Sequence, residues 1–582
     1  MSVYRKYRNN RRKTKNKPGK SGSSMTASTK PDSCLIGTVK KTGKKFVFVP
    51  RKLDRFYKSF DIEKNGVRPR KNTLYSAKVV QSPKKGIMVK LDHEIGKAGS
   101  LDTERESLLY EYGLHEGFAE IVKKRVKNIK LSISESEIKR RTDLRDKLIF
   151  TIDGVRARDY DDAVGIQKLR DGYKLWVSIA DVSYYVKPSS EVDLEAYRRA
   201  TSVYLSKKVV PMLPERLSNN LCSLVPNEDR LTKTAEIVFS KDGSIKDYKI
   251  YRSVINSKYR LTYNRVTKIL DGTEKLDRSD AKLQKSLQLM RELYLKVKKL
   301  RFDAGYIDLN IPEAEIIEDE QGNIIDIAKL KREPSHELIE FFMITANNVV
   351  AEFINKSDTA SIYRIHDSLK QDSMAELKDK LRSLGYKKKI KNKIKAAEVQ
   401  EILAHFRDTQ QEYAANLFIL RSMNRAIYST NDTGHFGLGL DYYTHFTSPI
   451  RRYPDLIIHR LLDSLLEKKE PIYDLEMLSK ISSHCSEKET LSDEIERESM
   501  KLERAFLLQN YIGQVSKGII ISIQSFGLFV ELDDIYAEGF VPRRKIKRYD
   551  ESRFHIGQQV TVKISNSDID NRRAAFDLIK IH

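Results

Sequence analysis

Thr151-Ile-Asp153-Gly-Val-Arg-Ala-Arg-Asp159-Tyr-Asp161-Asp162-Ala-Val164 sets four aspartates within ten residues, between strand-like runs at Leu148-Ile-Phe-Thr151 and Leu175-Trp-Val-Ser-Ile179. That density needs a physical reason. Carboxylates crowded in a cleft repel one another and lose solvation, so they stay ionised only where divalent cations offset their charge. Hard oxygen ligands of this kind select magnesium or manganese. A pair of such ions about 3.5 to 4 Å apart can activate a water on one side of a phosphodiester and stabilise the leaving oxygen on the other. Taken alone, the stretch fits equally an acidic loop that binds nothing, or a calcium loop.

The remainder of the chain narrows the choice. At 582 residues it is too long for one hydrophobic core, and three or four domains are expected. Its 107 Lys and Arg against 81 Asp and Glu leave a net charge of +26. An excess of that size points to a polyanionic partner, nucleic acid first, with a solvated basic surface as the alternative. Cys34, Cys222 and Cys485 are far apart and form no Cys-x-x-Cys pair, which excludes a disulfide framework or a structural zinc site and suits a reducing compartment. The longest apolar runs, such as Gly518 to Ile523, are too short to cross a bilayer, and no signal-peptide core follows the basic start. Neither a membrane protein nor a secreted one is expected.

The first 30 residues hold ten Lys or Arg and no acid, so residues 1–33 read as a disordered basic arm suited to RNA. The same composition resembles an organellar transit peptide, without its amphipathic face. Residues 34–101 turn to short strands: Gly37-Thr-Val39, Lys45-Phe46-Val-Phe48-Val-Pro50, Tyr75 to Val80 and Gly86 to Leu91. They suggest a small barrel in which Phe46 and Phe48 either stack on bases or pack inward. Residues 102–148 read as a charged helical connector, and 149–505 as a mixed domain. Within that domain Ser335 to Asn355 is a helix with a broad apolar face, and the Lys387 to Lys395 run is a solvated face. Residues 510–582 return to strands at Gln514 to Ile523, Gly527 to Leu532, Glu538 to Val541 and Gly557 to Ile564.

The acidic stretch resembles the signature of the RNB catalytic domain shared by ribonuclease R and exoribonuclease II. The resemblance continues in order through Ala180-Asp181-Val-Ser183, Thr201-Ser-Val-Tyr204, Pro211-Met-Leu-Pro214, Tyr363-Arg-Ile-His366, His435-Phe-Gly-Leu438 and Tyr443-Thr-His-Phe-Thr-Ser-Pro-Ile-Arg451-Arg452-Tyr-Pro-Asp455. Gly37 to Pro50 is similar to a cold-shock-type OB barrel. The C-terminal strands, with Ser525-Phe526-Gly-Leu-Phe529-Val and Glu538-Gly-Phe540-Val, resemble the S-one type OB domain. The fold implied is α+β multidomain, a central mixed α/β catalytic domain flanked by all-β OB barrels.

The resemblance implies a 3′-to-5′ hydrolytic exoribonuclease that degrades RNA to nucleoside 5′-monophosphates. Asp153, Asp159, Asp161 and Asp162 would then be metal and catalytic carboxylates, for Mg2+ or Mn2+, and Arg451 the cation on the scissile phosphate. A guanidinium, bidentate and always charged, suits that role better than lysine. Glu496 aligns with a family glutamate near the terminal nucleotide, or is one more charge on a helix face. Tyr204 is the clamp candidate. Tyr263 is a further RNA contact or a core residue, and Arg452 an RNA contact or a salt bridge to Asp455. Phe526 and Phe529 would stack on bases, unless one of them is core.

Two departures stand out. Leu309 occupies the place of a second aromatic clamp. Phe341 replaces a glutamate, leaving ribose recognition to Glu340. The detail is nearest to ribonuclease R, in a short form. That likeness implies a monomer acting on single-stranded RNA with a free 3′ end, with structured RNA, a ribosome or a helicase as further partners, in a bacterial-type cytoplasm or an organelle. The rivals are a catalytically inactive RNA-binding protein of the same fold and an endonuclease.

Overall fold

The computed structural model describes residues 35–582, apart from 44, 52–57, 64–66, 83–85, 131, 207, 331 and 548. The basic arm expected at 1–33 and Cys34 lie outside the described residues. Strands Leu35–Thr42, Lys45–Pro50, Phe60–Ile62, Thr73–Ser82 and Gly86–Lys97 close into a barrel in which the third strand lies between the second and the fifth. Val515–Gln524, Gly527–Leu532, Glu538–Pro542, Gln559–Asp568 and Arg573–Ile581 close in the same order. In both barrels the third strand runs parallel to the fifth.

The first strand of each barrel carries a glycine for the same reason. A Cβ on Gly37 would meet the Val49 carbonyl oxygen at 2.3 Å, and one on Gly518 would meet that of Glu531 at 2.3 Å. Sequence patterning misses Phe60–Ile62, which is too short to alternate, and Arg573–Ile581, whose inward residues are interleaved with charge. The Phe46 and Phe48 alternative divides between the two residues: Phe48 is in the barrel core, and Phe46 is exposed at the strand end.

Between the barrels lies a five-stranded sheet in the order Thr142–Asp143, Ile245–Asn256, Asp229–Ser240, Gly172–Ala180 and Asp162–Leu169, antiparallel except at the first edge. The connector expected at 102–148 therefore gives its last residues to this sheet. A two-residue edge has no periodicity to announce it. Before that edge the connector is helical at Leu101–Glu111, Glu120–Lys127 and Glu135–Lys139.

The helix expected at 335–355 forms as Pro334–Lys356, with Leu338, Phe342 and Val349 in the core. In the small helical unit of Met374–Ser383, Ala396–Phe406 and Glu412–Ser422, Ile390 and Ile394 turn inward and leave the 387–395 lysines outside.

The 35-residue helix Leu475–Gln509 connects the central domain to the second barrel. Buried ion pairs fix it in place. Arg105 donates to both oxygens of Glu503 at 2.7 and 2.8 Å and to Glu318 at 2.9 Å. Arg51 reaches Glu104, and also Asp570 at 3.1 Å. Arg572 bridges Glu498 at 2.8 Å and Glu111 at 2.7 Å. The first barrel is thereby tied to the helix Leu101–Glu111, and the second to that helix and to Leu475–Gln509. No helix among the described residues is long and apolar enough to cross a membrane.

Candidate active site

Asp153 ends the short strand Thr151–Asp153, and Asp162 opens the strand Asp162–Leu169. The two are held side by side because Phe150 and Val164 exchange backbone hydrogen bonds at 3.1 and 2.9 Å. The intervening loop carries Asp159 and Asp161. Ser223, from the stretch Leu217 to Leu224, fixes this loop from beneath: its hydroxyl accepts from the Tyr160 N–H at 3.0 Å and donates to the Arg158 carbonyl at 2.8 Å.

The opposite wall is the turn Ser448 to Arg452, at the start of the helix Tyr453–Leu466. The Ile450 N–H donates to Asp161 at 2.9 Å, and the Arg451 Nε stands 3.9 Å from the other Asp161 oxygen. Arg451 is 42% exposed, which leaves most of its donors available to a ligand. The Asp153 Oδ2 and Asp161 Oδ2 atoms are buried and accept no hydrogen bond.

This crowding shows in the acidities. Burial, reinforced by Asp162, pushes the Asp153 carboxyl up to about 8. Burial raises Asp162 to about 6 against the pull of Arg451 and Arg452, and raises Asp161 well above the ordinary carboxylate range. Positive charge supplied from outside would return all three to the ionised form.

Two tyrosines flank the cluster. The Tyr204 hydroxyl lies 3.5 Å from Asp159. Its backbone N–H is held by Glu496 at 3.2 Å, and Glu496 also accepts from the Ser492 hydroxyl at 3.1 Å. Glu496 is thus a strut under Tyr204, its carboxyl raised chiefly by burial. The segment before Tyr204 is pinned to the cation's backbone: the Ser202 N–H donates to the Arg451 carbonyl at 3.0 Å and that of Tyr453 to Ala200 at 2.9 Å. Ala200, buried with φ +60°, makes the turn into this segment. On the other side Tyr263, whose hydroxyl feels the Asp162 and Asp153 charges, stacks on His336 at 3.9 Å between ring centroids.

His336 also lines a cleft of about 1310 Å³ with Leu309, Arg332 and Glu340. In this cleft Glu340 is held by Tyr306 at 3.0 Å and Arg332 at 2.5 Å. Of the two readings of Arg452, the structure forms the salt bridge. Arg452 grips Asp455 through two bonds of 2.9 and 2.7 Å, and Asp455 is wholly buried. A bidentate ion pair at the base of the turn leaves that guanidinium little to offer a phosphate. Phe341, in the place of a family glutamate, packs in the core against Tyr294 and Tyr306.

With this geometry in view, the comparisons are decisive. Residues 141–468 match the RNB domain, and residues 511–578 match the S1 RNA binding domain. Ribonuclease R of Aquifex aeolicus is 40% identical over 491 residues, covering 81% of this chain and 70% of the relative. The chain belongs to the ribonuclease R family of exoribonucleases. Mycoplasma genitalium RNase R, solved with ribose methylated single-stranded RNA, superposes with a TM-score of 0.88 at 28% identity, covering 94% of this chain and 90% of that one.

The family's fold also occurs without its chemistry. Yeast Ssd1, a pseudonuclease, shares the fold at a TM-score of 0.70 and 19% identity, covering 92% of this chain and 68% of that one. Within this chain the second barrel adds a surface that the motif only half predicted. Phe526 is 56% exposed and Phe529 half-buried, and both face Phe540, at 5.6 and 5.2 Å between centroids. Phe540 was hidden in the Glu538-Gly-Phe-Val541 turn, where it reads as a core residue of a strand.

Proposed function

We propose that this chain hydrolyses single-stranded RNA processively from its 3′ end, releasing nucleoside 5′-monophosphates at Asp153, Asp159, Asp161 and Asp162. One observation carries the reading: buried carboxylate oxygens of Asp153 and Asp161 point into the site without a partner, and the guanidinium of Arg451 stands beside them. An inactive scaffold has no use for oxygens left in that state, since each unpaired buried polar group costs about 1–3 kcal/mol.

The residues fit magnesium or manganese. All four donors are hard oxygens, and the acidities call for added positive charge. Among the described residues no three such groups converge into a complete metal cage by themselves. That suits an ion which keeps several waters and takes the rest of its oxygens from a substrate phosphate. When bound, divalent cations supply Lewis-acid polarisation of the phosphoryl oxygens and acidify a water. The chain's own groups do the remaining work. Arg451 stabilises charge developing on the phosphate. Tyr204, braced by Glu496, stacks on a terminal base, and Tyr263 borders the path on the other side. Glu340 offers a carboxylate in the cleft beyond, and the Phe526, Phe529 and Phe540 rings hold the strand upstream. The protein acts as a monomer in a bacterial-type cytoplasm, a placement supported by its bacterial relatives.

The test is a time course with 5′-labelled single-stranded RNA and Mg2+, beside an Asp161→Asn variant. Wild type alone should give a short labelled limit product and mononucleotides. Internal fragments would indicate an endonuclease. RNA binding without cleavage would indicate an inactive binder, the reading to which the Ssd1 likeness gives its weight.

A further inference from the structure

The loop between Asp153 and Asp159 raises a question of support. Gly154, Val155, Arg156 and Arg158 are exposed, Val155 at 65%. A Cβ on Gly154 would meet open space. Ser223 and the Tyr160 hydroxyl hold the far limb, the latter on the Ala157 carbonyl at 2.9 Å. The limb next to Asp153 is held by Arg260, whose Nη2 donates to the Gly154 carbonyl at 3.1 Å and to the Val155 carbonyl at 2.7 Å.

Arg260 is itself placed by the strand carrying the aspartate, since Arg260–Thr262 pairs in parallel with Thr151–Asp153, residue for residue. Its guanidinium lies 5.7 Å from the centre of the Tyr160 ring, and its Nε is buried without a hydrogen-bond partner. It makes no salt bridge among the described contacts.

We propose that Arg260 is a positioning residue of the metal site: it sets the Gly154–Val155 turn so that Asp153 and Asp159 face one ion, as Arg451 serves the Asp161 side. The proposal rests on the metal role proposed for the aspartates, and the test separates the two. Mn2+ binding to wild type, Arg260→Gln, Arg260→Lys and Asp161→Asn is followed by the loss of the free-ion electron paramagnetic resonance signal. The Mg2+ dependence of cleavage, the KM for RNA and the melting temperature are measured alongside.

Arg260→Gln should weaken Mn2+ binding about ten- to a hundred-fold, as loss of a group that orients a ligand does. The half-saturating Mg2+ concentration should move by a similar factor. At saturating Mg2+, kcat and KM should return to within about twofold of wild type. Arg260→Lys, which keeps the charge and a donor, should recover part of the binding. Unchanged Mn2+ affinity in Arg260→Gln overturns the proposal, as does a change confined to KM or to melting temperature. Wild type that takes up no Mn2+, or no more than Asp161→Asn, overturns the metal reading beneath it.

Discussion

Two regions of this molecule bury charge at high density, and they do it in opposite ways. At the junction of barrels and helices, Arg51, Arg105 and Arg572 each meet two or more carboxylates, and Glu503 is fully buried with both oxygens bonded. In the central domain four aspartates crowd together, Arg451 comes no closer than 3.9 Å to Asp161, and two buried oxygens of the cluster bond to nothing. The first set is closed, and its charges exist to satisfy one another. The second is open and is complete only with something that arrives. Sequence proximity marks the open set, since its acids lie on one loop. The closed set is assembled from residues as distant as Arg105 and Glu503.

The largest effect should come from closing the open set. Asp161→Asn removes the carboxylate between Arg451 and the other aspartates. It should lower kcat about 10⁴-fold, or ~5.4 kcal/mol of transition-state stabilisation. The same change removes a buried carboxyl whose ionisation burial opposes, so melting temperature without divalent ions should hold or rise. A parallel loss of activity and stability would mean that Asp161 belongs to the structural kind.

Opening the closed set should do the reverse. Arg105→Ala strands Glu503 in the interior and should cost about 3–5 kcal/mol in a urea titration. Adding Glu503→Leu should return most of that loss, because removing both partners is far cheaper than removing one. Turnover of the folded fraction should stay near that of wild type.

Acidity sharpens the contrast further. Asp153, Asp161 and Asp162 have raised values in the fold, so between pH 4 and 8 the native state binds more protons than the unfolded chain. Stability then falls as pH rises through that window. Metal-free protein should melt progressively lower from pH 5 to pH 8, Mg2+ should flatten the decline, and Asp161→Asn should show less of it. Calorimetry with and without a chelator measures this. A decline that Mg2+ leaves untouched would place its source elsewhere.

Much of this arrangement was legible before the structure, and the reasons are local. The aspartates lie on one loop, and Arg451 sits in a long motif, so both could be read from the chain. Tyr204 and Phe526 stand in short motifs at the ends of strands. What could not be read depends on contacts made over long distances. Arg260 meets the Gly154 turn through a parallel pairing of three residues. Ser223 braces the loop by holding Tyr160 across 63 positions. His336 backs Tyr263 across 73 positions. The two readings of Arg452 could not be told apart from the chain because two adjacent arginines look alike in sequence, while the turn sends one to solvent and the other to Asp455.

That adjacent pair yields the smallest and sharpest comparison. Arg452 belongs to the closed kind: two bonds to a wholly buried Asp455, whose Oδ1 also accepts from the Ser448 N–H at 2.8 Å and so fixes the turn. Lysine in its place keeps the charge but cannot present two parallel donors. Arg452→Lys should therefore lower stability by about 1–2 kcal/mol, the value of one charge-assisted bond. KM for RNA should stay within about twofold, and kcat should fall only as far as the turn carrying Arg451 loosens. If KM instead rises tenfold at unchanged melting temperature, Arg452 releases Asp455 when RNA binds and is part of the open set after all.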